Sequence, residues 1–394
     1  MTYRTSRMLA IAFSVLLFSE CLAQEELRIV HVHSATGPQE ELGKQTQVGL
    51  LLGFDYATRG TGVVAGKKIV LIEKDDQGKP DVGKALLATA FADEKAQIAI
   101  GPTQSNVALA LLPVAEEYKK VLIVEPAVAD SITGERWNKY VFRTGRSSTQ
   151  DAVASAIAMD GPEISIVTVA QDYVFGRDGV KALKGSLKQG KVVHEEYLPP
   201  TTTDFTATGQ RIIEKLKDLP GKKIVWILWS GVGNPYKLND LDLKKYGIQV
   251  SSIANVFSAM APFKNIPGLE GSAYYYYGIP KNPINDWLVS QHERKFGSPP
   301  DMFVAGGFSA AMAIVEALTK TNGDASADAL VPAMEGMSVD TPKGKMTFRK
   351  EDHQALQSMY HYRIKVDPAL AWGTPELVRE IKAEEIEVPV RNKR

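Results

Sequence analysis

The segment Gly101-Pro-Thr-Gln-Ser105-Asn follows a β-branched run and opens a helical pattern. A hydroxyl at a helix start, beside the free N–H groups and partial positive charge of the first turn, is suited to hold a carboxylate. The same residue type in that place also serves as an ordinary helix cap. Trp229-Ser230-Gly231 closes a strand-like run, so the indole either lines a cleft or packs in the core. Tyr274–Tyr277 read as a strand that alternates faces, which lets at most two rings point into a cleft and favours a structural role.

Other groupings do not support chemistry. Gly60-Thr-Gly62-Val-Val-Ala-Gly66-Lys67-Lys68 is rich in glycine, but its spacing is wrong for a phosphate loop and Lys68 stands where Ser or Thr should meet Mg²⁺. His31 and His33 share one face of a strand with no third ligand evident and no known zinc spacing, so both are expected as core or strand-face residues. Gly307-Phe-Ser309-Ala-Ala311 lacks the closing glycine of a nucleophile elbow and lies in a helical pattern. Neither a metal nor a cofactor is expected. Cys21 is the only cysteine, and thiol catalysis is excluded if it is removed with a leader.

The elements that must position such groups follow from length and patterning. A chain of 394 residues exceeds the size of one core and predicts two globular lobes. Lys+Arg and Asp+Glu balance at 46 each with no basic cluster, which argues against nucleic acid or an anionic membrane as partner. Arg4 and Arg7, the apolar run Met8–Phe18 and the small residues of Cys21-Leu22-Ala23 form a signal peptide pattern, with cleavage expected after Ala23. The run is too short for a membrane span, and no later segment has 18 or more apolar residues. Phe18-Ser19-Glu20-Cys21 loosely resembles a lipoprotein site, an alternative that Glu20 weighs against. Loss of Arg4, Arg7 and Glu20 leaves 44 basic and 45 acidic residues, a charge of −1.

From Leu27 onward, β-branched runs alternate with helical patterns. Leu27–Val32, Lys68–Glu73, Ile98–Ile100 and Val121–Val124 predict one parallel α/β lobe, with helices over Gln45–Thr58, Val82–Phe91 and Val107–Tyr118, the last interrupted by Pro113. Ile164–Val169, Val192–Tyr197, Ile224–Trp229 and Ile248–Ile253 repeat the grammar, with helices near Gly179–Lys188, Phe205–Leu216 and Leu238–Lys245. Tyr140–Gly145 and Tyr274–Gly278 are expected as strands crossing between lobes. Asn285–Phe296 and Phe308–Thr319 predict further helices, the second buried, Lys345–Phe348 and Met359–Val366 return to strands, and Pro375–Glu387 predicts a surface helix.

Ser34-Ala-Thr36-Gly-Pro38, Val64-Ala-Gly-Lys-Lys68, Glu73-Lys-Asp-Asp-Gln77, Tyr140-Val-Phe-Arg-Thr144 and Thr203-Asp-Phe205 together resemble the periplasmic leucine/isoleucine/valine-binding protein family, solute-binding components of ABC transporters. The order and spacing match from about Leu27 to Val366. The resemblance implies α/β architecture in two Rossmann-like lobes joined by three crossing strands, the type I periplasmic binding protein fold. Lobe one takes residues 24–145 plus 279–340 and lobe two takes 146–278 plus 341–366, with 367–394 as a tail. Ligand then binds between lobes, where strand ends and helix N-termini converge.

The resemblance also places ligand contacts at Ser34 and Thr36, at Gln104 and Ser105, and along Glu125-Pro-Ala127-Val-Ala129. Ser105 aligns with the serine that contacts the ligand carboxylate. Ala129 stands where the family has a threonine for the α-ammonium group. In Asp172-Tyr-Val-Phe175, Phe175 replaces a stacking tyrosine and loses the phenol oxygen, and Asn255 lies where an acidic residue commonly neutralises the ammonium. Trp229 is the remaining cleft candidate. A buried ammonium without a partner costs several kcal/mol, on the order of other uncompensated buried charges. The expected ligand is therefore a small carboxylic acid, aromatic or a keto acid, with an amino acid retained only if Asp172 or Glu125 supplies the missing charge.

These residues imply a monomeric periplasmic protein that binds a small carboxylate or amino acid and presents it to an ABC transporter permease, without catalysis and without stable membrane insertion. A ligand-sensing domain with the same cleft is the alternative, and an enzyme in this fold a more distant one.

Overall fold

The computed structural model describes residues 24–230, 235, 238, 241–254 and 256–393. The expected leader with Cys21, and Asn255, lie outside the described residues. Two sheets organise the rest. The first comprises β1 (Glu26–His33), β2 (Val63–Val64), β3 (Lys67–Asp75), β4 (Ile98–Ile100), β5 (Val121–Val124) and β6 (Val141–Arg143), in the order β2-β3-β1-β4-β5-β6. All neighbours run parallel except the β2–β3 pair. The second contains β7 (Ile164–Gln171), β8 (Lys191–Leu198), β9 (Lys222–Leu228), β10 (Ile248–Ala254), β11 (Glu270–Ala273), β15 (Met359–Lys365) and β16 (Thr374–Ile381), in the order β16-β15-β11-β10-β9-β7-β8. The three strands left between β11 and β15 are β12 (Ser338–Thr341), β13 (Gly344–Phe348) and β14 (Ala355–Leu356), which form a small sheet of their own.

Continuous aliphatic strands such as Val121–Val124, buried along their whole length, need helices on both faces. These are α1 (Glu40–Ala57), α2 (Pro80–Ala92) and α3 (Ser105–Tyr118), followed at the crossover by α4 (Ser148–Met159). The second sheet carries α5 (Val174–Ser186) and α6 (Thr206–Leu216), with the short α7 (Phe257–Met260) beyond them. The chain then returns through α8 (Pro283–Phe296), α9 (Met302–Lys320) and α10 (Ala327–Met334). Pro113 sits inside α3 without ending it.

Helix α9 is long and apolar enough to span a membrane by composition alone, but most of its residues are buried within the protein. It packs backbone to backbone on α1. A Cβ on Gly49 would lie 2.1 Å from the Val304 carbonyl oxygen, and one on Gly307 would lie 2.2 Å from that of Thr46. Ser309, set aside above as a nucleophile, donates its hydroxyl to the Ala305 carbonyl one turn back.

Several expectations are corrected. Residues 341–356 pack with the first sheet instead of the second: Met346, Phe348 and Ala355 enter the first core, and Phe348 stands edge-on to Phe142. The third crossing therefore falls between Leu356 and Met359. The tail is a strand, β16, paired antiparallel to β15, because an edge strand with one free face tolerates the charges of Glu376, Arg379 and Glu380 that had suggested a helix. The four tyrosines lie beyond the end of β11, off the strand, with Tyr274, Tyr275 and Tyr276 all buried. Over Leu238–Lys245 the described residues are 3₁₀ where they are helical, at Leu238, Leu241 and the turn Leu243–Tyr246, and not α-helix.

Candidate functional site: a cleft between two switch points

In each sheet, the strand order reverses beside one strand, and the carboxyl ends open a crevice there. In the first sheet β1 lies between β3 and β4, and the Ser34 amide donates to Thr103 Oγ1 at 3.1 Å across that gap. In the second, β7 lies between β8 and β9, and Gln171 joins the β9 end by donating to the Ser230 carbonyl at 2.9 Å and accepting the Ser230 amide at 3.1 Å. The two crevices face each other. Gln39, Thr103, Ser105 and Ala127 line the shared cleft from the first side, and Tyr173, Phe175 and Ser230 from the second.

Ser105 occupies the first turn of α3, with Gln104 as the N-cap residue. Its hydroxyl oxygen accepts the amides of Val128 and Ala129 at 3.3 and 3.2 Å, so it anchors the Glu125–Ala129 loop while its own proton stays available to an acceptor in the cleft. Ala129 adds a buried methyl group, and its carbonyl receives Arg143 Nη1 at 2.6 Å.

Arg146, which sequence reasoning passed over, is the cation that lines the cleft among the described residues. It follows directly on the Tyr140–Gly145 crossing segment and is buried together with Asp151. Its Nε donates to Asp151 Oδ1 and Oδ2 at 2.9 and 3.0 Å, and its two terminal nitrogens make no hydrogen bond to the described residues. Burial pushes the Asp151 carboxyl up and the Arg146 charge counters that shift. Behind the pair, the Tyr274 ring faces both Arg146 and Lys343, the latter 3.6 Å from its centroid.

The remaining expected residues separate into two groups. Phe175 lines the cleft, and Tyr173 stands beside it with ring centroids 5.7 Å apart. Tyr173 restores the phenol that Phe175 lacks and shares the cleft lining with Gln39 of the opposite lobe. Ala127 also lines the cleft, whereas Gln104 packs against Gly78. Ser34 donates to Asp76 Oδ1 at 2.8 Å and Thr36 to Asp75 Oδ2 at 2.6 Å, so both serve the loop after β3. Trp229 is a core residue, edge-on to Phe205 at 5.4 Å.

Neither acidic candidate for holding an ammonium reaches the cleft. Asp172 is exposed and paired with Arg177 at 2.6 Å. Glu125 is buried in the hinge, accepting the Thr144 hydroxyl at 3.0 Å, and burial pushes its carboxyl up to about 7 against the pull of Arg146 and Lys343. Among the described residues the lining of the cleft is thus one guanidinium, hydroxyl and amide groups, a phenol and apolar faces, including Phe303 from α9.

The lobes meet closely around these groups. Ser131 donates through its amide and hydroxyl to Asp178 at 3.2 and 3.1 Å, Ser258 donates to Glu41 at 2.8 Å, and the Phe257 amide donates to Asp301 at 2.7 Å. The side chains leave about 30 Å³ of free space, room for about one water. A larger ligand enters only when the lobes part. A roomier hollow near Lys222, Ile248 and Glu270 lies at the amino ends of β9, β10 and β11, away from the switch points.

Outside the cleft, the β1–β3 register sets Glu73 opposite His31, and its Oε2 lies 2.9 Å from both His31 Nδ1 and His33 Nε2. The third group that the linear sequence did not reveal is therefore supplied by the neighbouring strand.

Two doubly wound lobes with a cleft at facing switch points define a solute receptor that closes around its ligand. A family model described as periplasmic binding protein matches residues 26–369. The crystal structure of an ABC-type branched-chain amino acid transporter from Rhodopseudomonas palustris CGA009 is 57% identical, with a TM-score of 0.84, covering 94% of this chain and 100% of that one. Leu/Ile/Val-binding protein homolog 6 of Brucella melitensis biotype 1 is 24% identical over 340 residues, 82% of this chain and 84% of that protein. A solute-binding protein of an ABC transporter from Rhodopseudomonas palustris BisB5, in complex with 3,4-dihydroxybenzoic acid, shares the fold with a TM-score of 0.78 at 24% identity, over 91% of this chain and 98% of that one. The chain belongs to the periplasmic binding protein family, as a solute-binding component of the branched-chain amino acid ABC-transporter type.

Proposed function

We propose that this protein captures a small aromatic or keto carboxylate between its lobes and delivers it to a permease, with Arg146 meeting the carboxylate and the Ser105 hydroxyl donating beside it. The observation that carries this reading is the charge pattern of the cleft. Arg146 lines it, while Glu125 is turned into the hinge and Asp172 onto the surface. An α-ammonium group would meet no described carboxylate there, and an uncompensated buried charge costs several kcal/mol, on the order of the loss from breaking a buried pair.

Phe175, Tyr173 and Phe303 offer faces and edges to a planar ring. A protein of the same fold binds 3,4-dihydroxybenzoic acid, a ligand whose carboxylate and ring suit these groups. On this reading residues 1–23 are a cleavable leader and the mature protein works as a monomer in the periplasm without catalysing a reaction. Lobe one comprises the first sheet with residues 279–356, and lobe two the second sheet with its helices. Mass spectrometry under native conditions, on protein purified gently from its source, tests the ligand class. A retained small carboxylic acid supports the reading, and a retained α-amino acid contradicts it.

A further inference from the structure

We propose that His31, His33 and Glu73 form a binding site for a divalent transition-metal ion, separate from the cleft. The three donor atoms lie within 4.8 Å of one another. Two of the three separations are 2.9 Å. A tetrahedral ion about 2.0–2.1 Å from each donor spaces them by about 3.3 Å, so each nitrogen–oxygen separation would widen by about 0.4 Å while the two nitrogens, within 4.8 Å of each other, adjust around the ion.

The donor set suits zinc, nickel or copper better than magnesium or calcium, because imidazole nitrogen favours borderline ions. Both imidazoles are buried, and their rings stack with centroids 4.1 Å apart, which fixes their direction. Glu73 is the partly exposed member, with 32% of its side chain accessible, so the fourth position opens towards solvent.

Without metal, His31 Nδ1 is hydrogen-bonded to Glu73 Oε2 and His33 Nε2 lies 2.9 Å from the same oxygen. On binding, each ring carries its proton on the distal nitrogen, His31 Nε2 or His33 Nδ1, and the facing lone pairs go to the metal. Both distal atoms are buried without a hydrogen-bond partner among the described residues. The supporting acceptors that tighten a zinc site are thus missing, and the expected affinity is micromolar instead of nanomolar. The ion would staple β1 to β3 one residue before Ser34.

Protein purified without a polyhistidine tag and titrated with ZnCl₂ in a calorimeter, with MgCl₂ as control, tests the site. One zinc per chain is expected, with affinity reduced more than about 100-fold in both Glu73→Gln and His33→Gln, beyond what loss of a merely supporting partner costs. No saturable binding, or binding unchanged in folded variants, overturns the proposal. Co²⁺ loaded into the unaltered protein tests the site without any variant. Intense visible absorption from a four-coordinate ion supports the site, and the weak absorption of a six-coordinate ion contradicts it.

Discussion

Arg146 Nε lies 2.9 Å from Asp151 Oδ1, an ion pair buried where the chain leaves the first sheet and begins α4. Asp151 orients the guanidinium through one edge and leaves the other edge to the cleft. Because the pair is buried, its partners are not independent. Removing Arg146 strands a buried carboxylate, which costs about 3–5 kcal/mol. Arg146→Met should therefore lose both stability and ligand binding. Arg146→Met with Asp151→Leu should recover most of the stability but not the binding, a separation that thermal melts and calorimetry on the same samples measure.

Ser105 accepts two amides from the loop that lines the cleft. Ser105→Ala leaves both without that acceptor and should destabilise the protein by about 1–3 kcal/mol. Ligand affinity should fall roughly tenfold in addition, the worth of about one hydrogen bond to a charged group. Urea denaturation with and without ligand separates the two effects.

Asp178, on α5, holds Ser131 across the mouth of the cleft. Asp178→Ala should shift the protein towards an open form without touching the ligand, since a receptor's apparent affinity scales with its competent population. Stopped-flow fluorescence should show ligand dissociating several-fold faster, with the thermal midpoint of the ligand-free protein changed little.

Glu125 carries its pKa up to about 7 from 4.5, chiefly through burial. A carboxyl whose folded pKa exceeds its unfolded one favours the folded state while protonated. That contribution is complete below about 4.5 and is lost as pH rises through about 7. Asp301, also raised to about 7 by burial, acts in the same direction. Lys343, lowered by burial, acts oppositely at higher pH. Glu125→Gln should flatten the fall in stability between pH 5 and pH 8 by an amount on the order of 3 kcal/mol, at about 1.4 kcal/mol per unit, visible as a smaller drop in thermal midpoint. Differential scanning fluorimetry across that range measures it.

Most parallel strands of both sheets were legible because buried parallel strands are written as unbroken aliphatic runs, as in Val121–Val124 and Lys222–Leu228, whereas the edge strand β16 with its charged free face read as a helix. Helix α4 was missed, although Ser147 and Gln150 form a complete capping box, because its alanine-rich face lacks a strong apolar stripe. Ser105, Ala127 and Phe175 were found through family phrases. Arg146 and Tyr173 were not, since whether a side chain after a strand faces a cleft or solvent depends on lobes far apart in sequence. Asp172 and Tyr173 are neighbours, yet one reaches the surface and the other the cleft. His31 and Glu73 likewise meet only through strand pairing.

Isothermal titration calorimetry against benzoate, hydroxybenzoates, branched-chain keto acids and the corresponding amino acids tests the central claim most directly. The charge pattern around Arg146 predicts saturable binding of at least one simple carboxylate and binding at least tenfold weaker for its amino-acid counterpart. Tight binding of leucine, with no heat from any simple acid, would contradict it.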